Sequence, residues 1–339
     1  MIAGKTKARR SARDRRWAGG VAAVFLVLAC APLGLDNFGV EGLRDVLLFA
    51  TFAVSLDLFW GRTGILSFGH ATFFGLGAYG MAIATVVLSL DPSYGSLAGL
   101  GLGVALAAAM ALAIGYFIIY GGVREAYFTI ITLALTLIGY NIAVGWSSVT
   151  GGDSGLIGVP PLSVAGLTLS TAIQQFYLAW GLLAAAIFGS WLVLRGRYGL
   201  LLKAIQDNEV KAQTLGHNTS LILLVMFVAS AVIGALAGAI YVTATGFVAP
   251  DMIGLILSTE VIMWVAVGGR GSLIGAALGA MLVWYLQQQI SSISTSLWPL
   301  FLGCFFVLMV FLFPDGLPAL GERITRQVRS RVPSLERKQ

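Results

Sequence analysis

Few residues of this chain have the types and spacing that chemistry on a substrate requires. His70 and His217 lie roughly 150 residues apart, and no cysteine or acidic residue is spaced as a metal ligand beside either one. Gly4, Lys5 and Thr6 resemble the end of a phosphate-binding loop, but the glycine required upstream is missing. No nucleophile stands beside a base. The sequence therefore predicts no metal, no cofactor, no ATP hydrolysis by this chain and no enzyme.

Polar residues inside apolar runs are the stronger candidates for function. Ser67 and His70 lie in a glycine-rich stretch, 61–79, and Glu260 lies in an otherwise apolar run, 255–269. A buried carboxylate in lipid costs at least about 2.5 kcal/mol, so Glu260 should face a cavity or a partner. Each of these side chains either borders a solute path or makes a structural hydrogen bond. The glycines weaken a helix, which predicts a broken start of the span.

Composition places these residues in a membrane. Hydrophobic residues make up 58% of the 339 residues and charged residues 11%, whereas soluble domains carry about 25% charged residues. This composition excludes a cytosolic enzyme, a disordered chain and a disulfide scaffold. The basic residues cluster at the two ends and in one central loop, which fits membrane orientation better than nucleic-acid binding. The expected fold is an all-α polytopic transmembrane bundle.

Apolar runs of about 20 residues mark the candidate spans. Ten are predicted, with a count of about 8–10 if some are half-helices or re-entrant: 18–35, 43–60, 65–90, 97–120, 126–147, 174–194, 220–245, 252–268, 272–290 and 297–313. Alternating these spans places every Lys and Arg except Arg44 on one side, which the positive-inside rule makes cytoplasmic.

Three regions follow from this topology. The predicted regions are a basic cytoplasmic N-terminal segment at 1–17, a transmembrane domain at 18–315 and a basic cytoplasmic tail at 316–339. Both termini are thus expected in the cytoplasm, with the chain crossing the membrane many times. A signal peptide ending at a lipoprotein-type Cys30 is the alternative for the first segment.

The central inner loop, 196–219, has a mixed polar and apolar pattern typical of a short amphipathic helix or helix pair. Asp207 and Asn208 are good helix N-cap residues, and Gly216 is a good helix stop. The apolar face needs a covering, for which two alternatives stay open: the lipid interface, or a groove on a partner protein.

Small residues four apart predict close helix packing. One such pair lies in the seventh predicted span and a series of three lies at the ninth. These residues are Gly234 and Gly238, and Gly271, Gly275 and Gly279.

Several motifs resemble one transporter family. Residues 204–219, AIQDNEVKAQTLGHNT, resemble the coupling loop of permease subunits in bacterial ATP-driven importers, in the branched-chain amino-acid branch. GRTGILSFGHATFFGLGAY at 61–79, REAYFTIITLAL at 124–135, TGGDSGL at 150–156 and VAVGGRGSLIGAALGA at 265–280 are similar to its other signatures, in the same order. The chain thus resembles the LivM-type subunit of the branched-chain amino-acid ABC transporter permease family. Urea and amide permeases share these motifs.

The resemblance implies partners and roles. It implies two ATP-binding subunits, a homologous second permease subunit and an extracytoplasmic solute-binding protein, around a path through the lipid bilayer of a bacterial inner membrane. Residues expected to couple the chain to the ATP-binding subunits are Lys203, Asp207, Glu209, Ala212 and Gly216. Gln206, Asp207 and Gln213 depart from the family pattern in this loop.

Two alternatives from other classes remain. An ion-gradient-driven secondary transporter would use Glu260 or His70 as a proton relay. A scaffold of a membrane complex would carry no solute at all.

Overall fold

The computed structural model describes residues 25–123, 126–164 and 166–293, together with six positions between 300 and 308. The predicted basic segments at 1–17 and 316–339 lie outside the described residues. So do Arg124, Glu125 and parts of the first and last predicted spans.

Helices form most of the described chain. In chain order they are α1 Asn37–Thr63, α2 His70–Ala82, α3 Pro92–Tyr120, α4 Ala126–Gly145, α5 Ser147–Thr150, α6 Ala172–Arg195, α7 Arg197–Asp207, α8 Glu209–Thr214, α9 Thr219–Thr245, α10 Leu255–Gly268 and α11 Leu273–Ile293. A π-helical turn, Ile83–Val87, continues α2, and residues 25–30 are also helical. The predicted all-α architecture is confirmed.

Seven helical stretches within the described residues are long and apolar enough to cross a membrane. They are His70–Val87, Tyr94–Tyr120, Ala126–Gly145, Ala172–Arg195, Thr219–Thr245, Pro250–Gly268 and Leu273–Ser291. Helix α1 has 27 residues, or about 40 Å at 1.5 Å per residue, but it carries charged residues near both ends. Each of the eight interior predicted spans therefore coincides with a helix.

The helix ends follow ordinary capping chemistry. The Asp36 carboxylate accepts a hydrogen bond from the Gly39 amide at the start of α1. Thr171 and Gln174 form a reciprocal capping box at the start of α6. Gly64 ends α1 with a φ of 81°, a left-handed conformation that glycine adopts without strain.

Helix α1 lies in the middle of the bundle and packs against α6, α9, α10 and α11, while α2 packs against α3, α4 and α9. Helices α10 and α11 also pack against each other. Glycine allows the α2–α9 and α10–α11 contacts, because a Cβ at Gly238 would overlap the Phe74 carbonyl and one at Gly279 the Trp264 carbonyl. A Cβ at Gly275 would likewise overlap the Gly268 carbonyl. Small residues thus let these backbones approach closely.

Gly271 departs from the predicted small-residue series. It lies in the turn between α10 and α11, with a φ of 83°, and helix α11 begins only at Leu273. Grouping Gly271 with Gly275 and Gly279 on one helix face is therefore wrong, because the chain leaves the helical conformation at this glycine. Its amide instead donates to the Asp57 Oδ1 at 2.6 Å.

Four two-residue strands cap one end of the bundle: β1 Leu156–Ile157, β2 Ser163–Val164, β3 Leu167–Thr168 and β4 Phe247–Val248. Strand β1 pairs antiparallel with β4, with Leu156 opposite Val248, and β2 pairs with β3. Gly155, with a φ of 70°, allows the first pairing, since a Cβ there would overlap the Val248 carbonyl. The loop after α5 is therefore attached to the end of α9.

Candidate functional site

A non-helical segment, residues 64–69, interrupts the chain between α1 and α2. His70 at the start of α2 contacts Ser55, which lies eight residues before the end of α1. That separation is about 12 Å along the helix axis. The segment therefore runs back into the bundle instead of turning around its end. The broken start predicted for this span is confirmed.

Threonines of α4 satisfy the backbone of this segment. The Thr129 hydroxyl donates to the Leu66 carbonyl at 3.0 Å. The Thr132 Oγ1 accepts from the Phe68 amide at 3.1 Å, and the Thr136 hydroxyl donates to the Phe68 carbonyl at 3.1 Å. Spacings of three and four place these threonines on one helix face. Sequence reasoning missed them, although the T-x-x-T-x-x-x-T pattern beside a glycine-rich segment was a usable signal.

His70 is fully buried among helices α1, α2 and α9. Its Nε2 lies 2.8 Å from the Ser55 Oγ, and the Ser55 hydroxyl donates to the Phe52 carbonyl at 2.6 Å. Ser55 therefore accepts from the Nε2–H, which leaves Nδ1 of the neutral ring as an acceptor. The ring stacks on Phe52, with 5.3 Å between centroids. A Cβ at Gly234 would lie 3.7 Å from Nε2, so this glycine borders the imidazole.

Two buried polar atoms of the segment lack a hydrogen-bond partner within the described residues. They are the Ser67 Oγ and the His70 Nδ1, both on fully buried side chains. The first-turn amide of Ala71 is occupied, because it donates to the Ser258 Oγ of α10 at 3.3 Å. In this conformation the Ser67 and His70 side chains can thus still form hydrogen bonds, whereas the Ala71 amide is already used.

Glu260 is buried on α10, with 7% of its surface exposed. Its Oε1 accepts from the Gln287 Nε2 of α11 at 3.4 Å. Ser258, which contacts α2, precedes Glu260 by two residues, or about 200° around the helix. Glu260 therefore faces away from the side of α10 that approaches His70, and the structure does not bring these two candidates together.

Helices α7 and α8 form the central inner loop and meet at Asn208. The Asn208 side chain caps α8 by accepting from the Lys211 amide at 2.9 Å. The chain leaves α8 at Gly216, which has a φ of 86° and open space around it. Lys203 and Asp207 are exposed on α7. The predicted helix pair is present, with Asn208 as its capping residue.

Much of the apolar face of this pair is covered by the chain itself. Leu202, Ile205 and Ala212 are buried in one hydrophobic cluster with Phe59 of α1 and Ile65 of the non-helical segment. The two coverings left open by the sequence, lipid and a partner groove, are therefore both wrong for these three residues, because the bundle itself covers them.

Four large apolar residues of the loop are exposed outside that cluster: Tyr198, Leu200, Val210 and Leu215. Val210 is 68% exposed and Leu215 is 77% exposed. Asp207 and Gly216 are exposed as well. The pair thus has one side fixed to its own bundle and another side available for contact.

Glu209 connects the helix pair to the next span. The Thr219 hydroxyl donates to the Glu209 Oε1 at 3.0 Å, and the Gln213 Nε2 donates to the Thr219 Oγ1 at 2.9 Å. These hydrogen bonds hold the start of α9 against α8. Displacement of α8 would therefore act directly on α9.

Comparisons with known proteins bear on the family of the chain. Residues 39–312 match the family model described as branched-chain amino acid transport system / permease component. The chain is 24% identical over 316 residues to the high-affinity branched-chain amino acid transport system permease protein LivM of Salmonella typhimurium, covering 86% of this chain and 73% of that protein. It is 26% identical over 322 residues to the autoinducer 2 import system permease protein LsrC of Escherichia coli O157:H7, covering 87% and 92%. No solved structure matches the chain.

Proposed function

This chain belongs to the family of branched-chain amino acid transport system permease components, and we propose that residues 196–219 couple its spans to separate ATP-binding subunits. It is a multi-pass inner-membrane permease subunit of an ATP-driven importer for branched-chain amino acids or related solutes. We name the transported solute only by that class, because the relatives of the chain include an autoinducer 2 importer as well as amino-acid importers.

The exposed apolar side of the helix pair carries this proposal. Val210 and Leu215 would gain free energy by leaving water for a groove on a partner. Asp207 is exposed between the C-terminus of α7 and the N-cap of α8. We assign it to recognition by the partner because its side chain is accessible at this junction.

The buried side of the pair supplies the mechanical connection. Leu202, Ile205 and Ala212 share a cluster with Ile65 of the non-helical segment, and close-packed interiors transmit displacement. Nucleotide-driven movement of the ATP-binding subunits would thereby move residues 64–69 and, through Glu209 and Thr219, helix α9. Alternating access follows if the partner binds the two positions of the helix pair with different affinity.

Ser67 and His70 are our proposed border of the solute path. Both are buried at membrane depth and retain polar atoms without partners in the described chain, which is costly unless solute or water meets them. Glu260, by contrast, has a structural partner in Gln287, and we assign it a packing role. The path would be completed by a homologous second permease subunit and loaded by an extracytoplasmic solute-binding protein.

Co-purification of ATP-binding subunits with the tagged full-length chain tests the coupling surface. The double variant Val210→Asp, Leu215→Asp should lose about ten-fold or more of the bound subunit, since charges would be buried in an apolar contact. Ile157→Asp makes the same change at a 75% exposed residue of β1 and should retain it. Equal retention by both variants, each shown to be monodisperse by gel filtration, would refute the proposal.

A further inference from the structure

A pocket of about 330 Å³ opens where α1 and α6 end and α11 begins. Arg62 of α1, three residues of the last turn of α6 (Trp191, Leu194 and Arg195) and residues 271–273 line it. The pocket is separate from the non-helical segment and from the helix pair. It has no role in the transport mechanism described above.

Its charge is positive. Two guanidinium groups line the pocket, and no acidic side chain does. Within the described chain Arg62 makes no ion pair, and its buried Nε has no hydrogen-bond partner. Asp57 adjoins the pocket through Gly271, whose amide it accepts, and it interacts with both Arg62 and Arg270. The arginines near the pocket therefore outnumber the single carboxylate.

The start of α11 adds to the positive charge of the pocket. Ser272 caps the helix by accepting from the Gly275 amide at 3.1 Å, and the first-turn amides of a helix carry partial positive charge. Because α11 has 21 residues, its N-terminal dipole is fully developed. An anionic group in the pocket would meet this helix end and the two arginines together.

The remaining walls are apolar. Trp191 and Leu194 pack at the edge of the hydrophobic core that contains Leu273, and the adjoining Leu192 is 60% exposed on the lipid-facing side of α6. The Arg195 guanidinium lies 4.8 Å from the Trp191 ring centroid, an arrangement that holds the charge over an aromatic surface. Both α6 and α11 are membrane spans, so the pocket lies where a span meets the membrane surface.

From this combination we propose that the pocket binds the phosphate of an anionic phospholipid, with its acyl chains along Leu192 and Leu194. Arg62 and Arg195 contact the phosphate, and the start of α11 faces it. A free phosphate ion would use the same charges but not the apolar walls. The bound lipid joins the ends of three helices beside the junction that leads into α7.

Native mass spectrometry of the detergent-purified full-length chain tests this site, with added phosphatidylglycerol as the probe and phosphatidylcholine as the zwitterionic comparison. The unsubstituted chain should retain phosphatidylglycerol preferentially. Arg62→Gln and Arg195→Gln should each weaken retention about five-fold, as expected for loss of one basic contact. Arg197→Gln, which removes the same charge from an exposed residue outside the pocket, should change retention little.

Two results would overturn the proposal. One is equal retention by Arg195→Gln and Arg197→Gln, because Arg195 is exposed and its loss should not prevent folding. The other is displacement of the lipid by millimolar inorganic phosphate, which would identify a free-anion site. Failure of lipid binding would leave the coupling surface untouched, since Val210 and Leu215 take no part in the pocket.

Discussion

At the scale of single residues, the main problem is to keep a non-helical backbone inside lipid. Backbone N–H and C=O groups in the hydrocarbon core must be satisfied within the protein. Thr129, Thr132 and Thr136 do this for residues 64–69 through three hydrogen bonds from one face of α4. Threonine suits the task because its hydroxyl can also donate to its own helix, as Thr132 does to the Phe128 carbonyl.

The Phe68 amide provides a direct test of this role. Thr132→Val keeps the side-chain shape but removes the acceptor for that amide, so we expect a loss of about 1–3 kcal/mol of stability. Thr51→Val is the matched control, since among the described residues the fully buried Thr51 hydroxyl bonds only the Leu47 carbonyl of its own helix. The apparent Tm in detergent, followed by tryptophan fluorescence, should fall clearly only for Thr132→Val. A similar fall for both variants would contradict this assignment.

Residue-level prediction from the sequence succeeded for burial and failed for partners. Ser67, His70 and Glu260 were predicted at membrane depth because they lie in apolar runs, and all three are buried. Their hydrogen-bond partners depend on which helices become neighbours. Ser55 and Gln287 are distant in sequence from His70 and Glu260 respectively, and periodicity within one helix contains no information about its neighbour.

At the scale of secondary-structure elements, the amphipathic pattern of 196–219 correctly predicted helices but not their covering. Apolar burial is non-directional, so a pattern of Leu202, Ile205 and Ala212 fits lipid, a partner or the same chain equally well. The structure places these residues on the bundle. Only the apolar residues left exposed, Val210 and Leu215 among them, can still test the hypothesis of a partner.

Glycine spacing allows an element-scale prediction about the contact of α2 with α9. Gly238→Ala should destabilise the chain by about 1–3 kcal/mol, because the new Cβ overlaps the Phe74 carbonyl and the helices must separate. Gly189→Ala on α6 has open space around it and should gain up to about 1 kcal/mol from helix propensity. Thermal unfolding of the two variants in the same detergent provides the comparison. Equal Tm shifts in one direction would show that helix contact is irrelevant at Gly238.

At the scale of the whole molecule, charge distribution and apolar run length predicted the bundle well. Eight interior runs became helices because each must satisfy its own backbone in lipid. Sidedness rests on basic residues alone, and Arg44, the exception to their distribution, is buried and donates to Gln175 at 2.6 Å and to Asp45 at 2.9 Å. The positive charge of Arg44 is therefore compensated by these partners within the bundle.

Sidedness itself can be measured with single cysteines. After replacement of Cys30 and Cys304, the only two cysteines, His217→Cys and Ile157→Cys place reporters on opposite ends of the bundle at exposed positions. A membrane-impermeant maleimide applied to spheroplasts should label the cysteine at 157 and reach the one at 217 only after the membrane is broken. The reverse pattern would place the coupling surface outside the cell and refute its proposed role.

The last prediction concerns the source of energy for transport. His70 and Glu260, the two candidates for a proton relay, lie toward different faces of α10. Because these two candidates do not form one relay, we expect no solute uptake when this chain is reconstituted alone in vesicles with a proton gradient. Uptake should appear only with the second permease, the ATP-binding subunits, the solute-binding protein and ATP, and an uncoupler should not abolish it. Gradient-driven uptake by the chain alone would identify a secondary transporter. The two mechanisms are distinguishable because ATP-driven uptake is lost on ATP depletion, whereas gradient-driven uptake is lost on uncoupling.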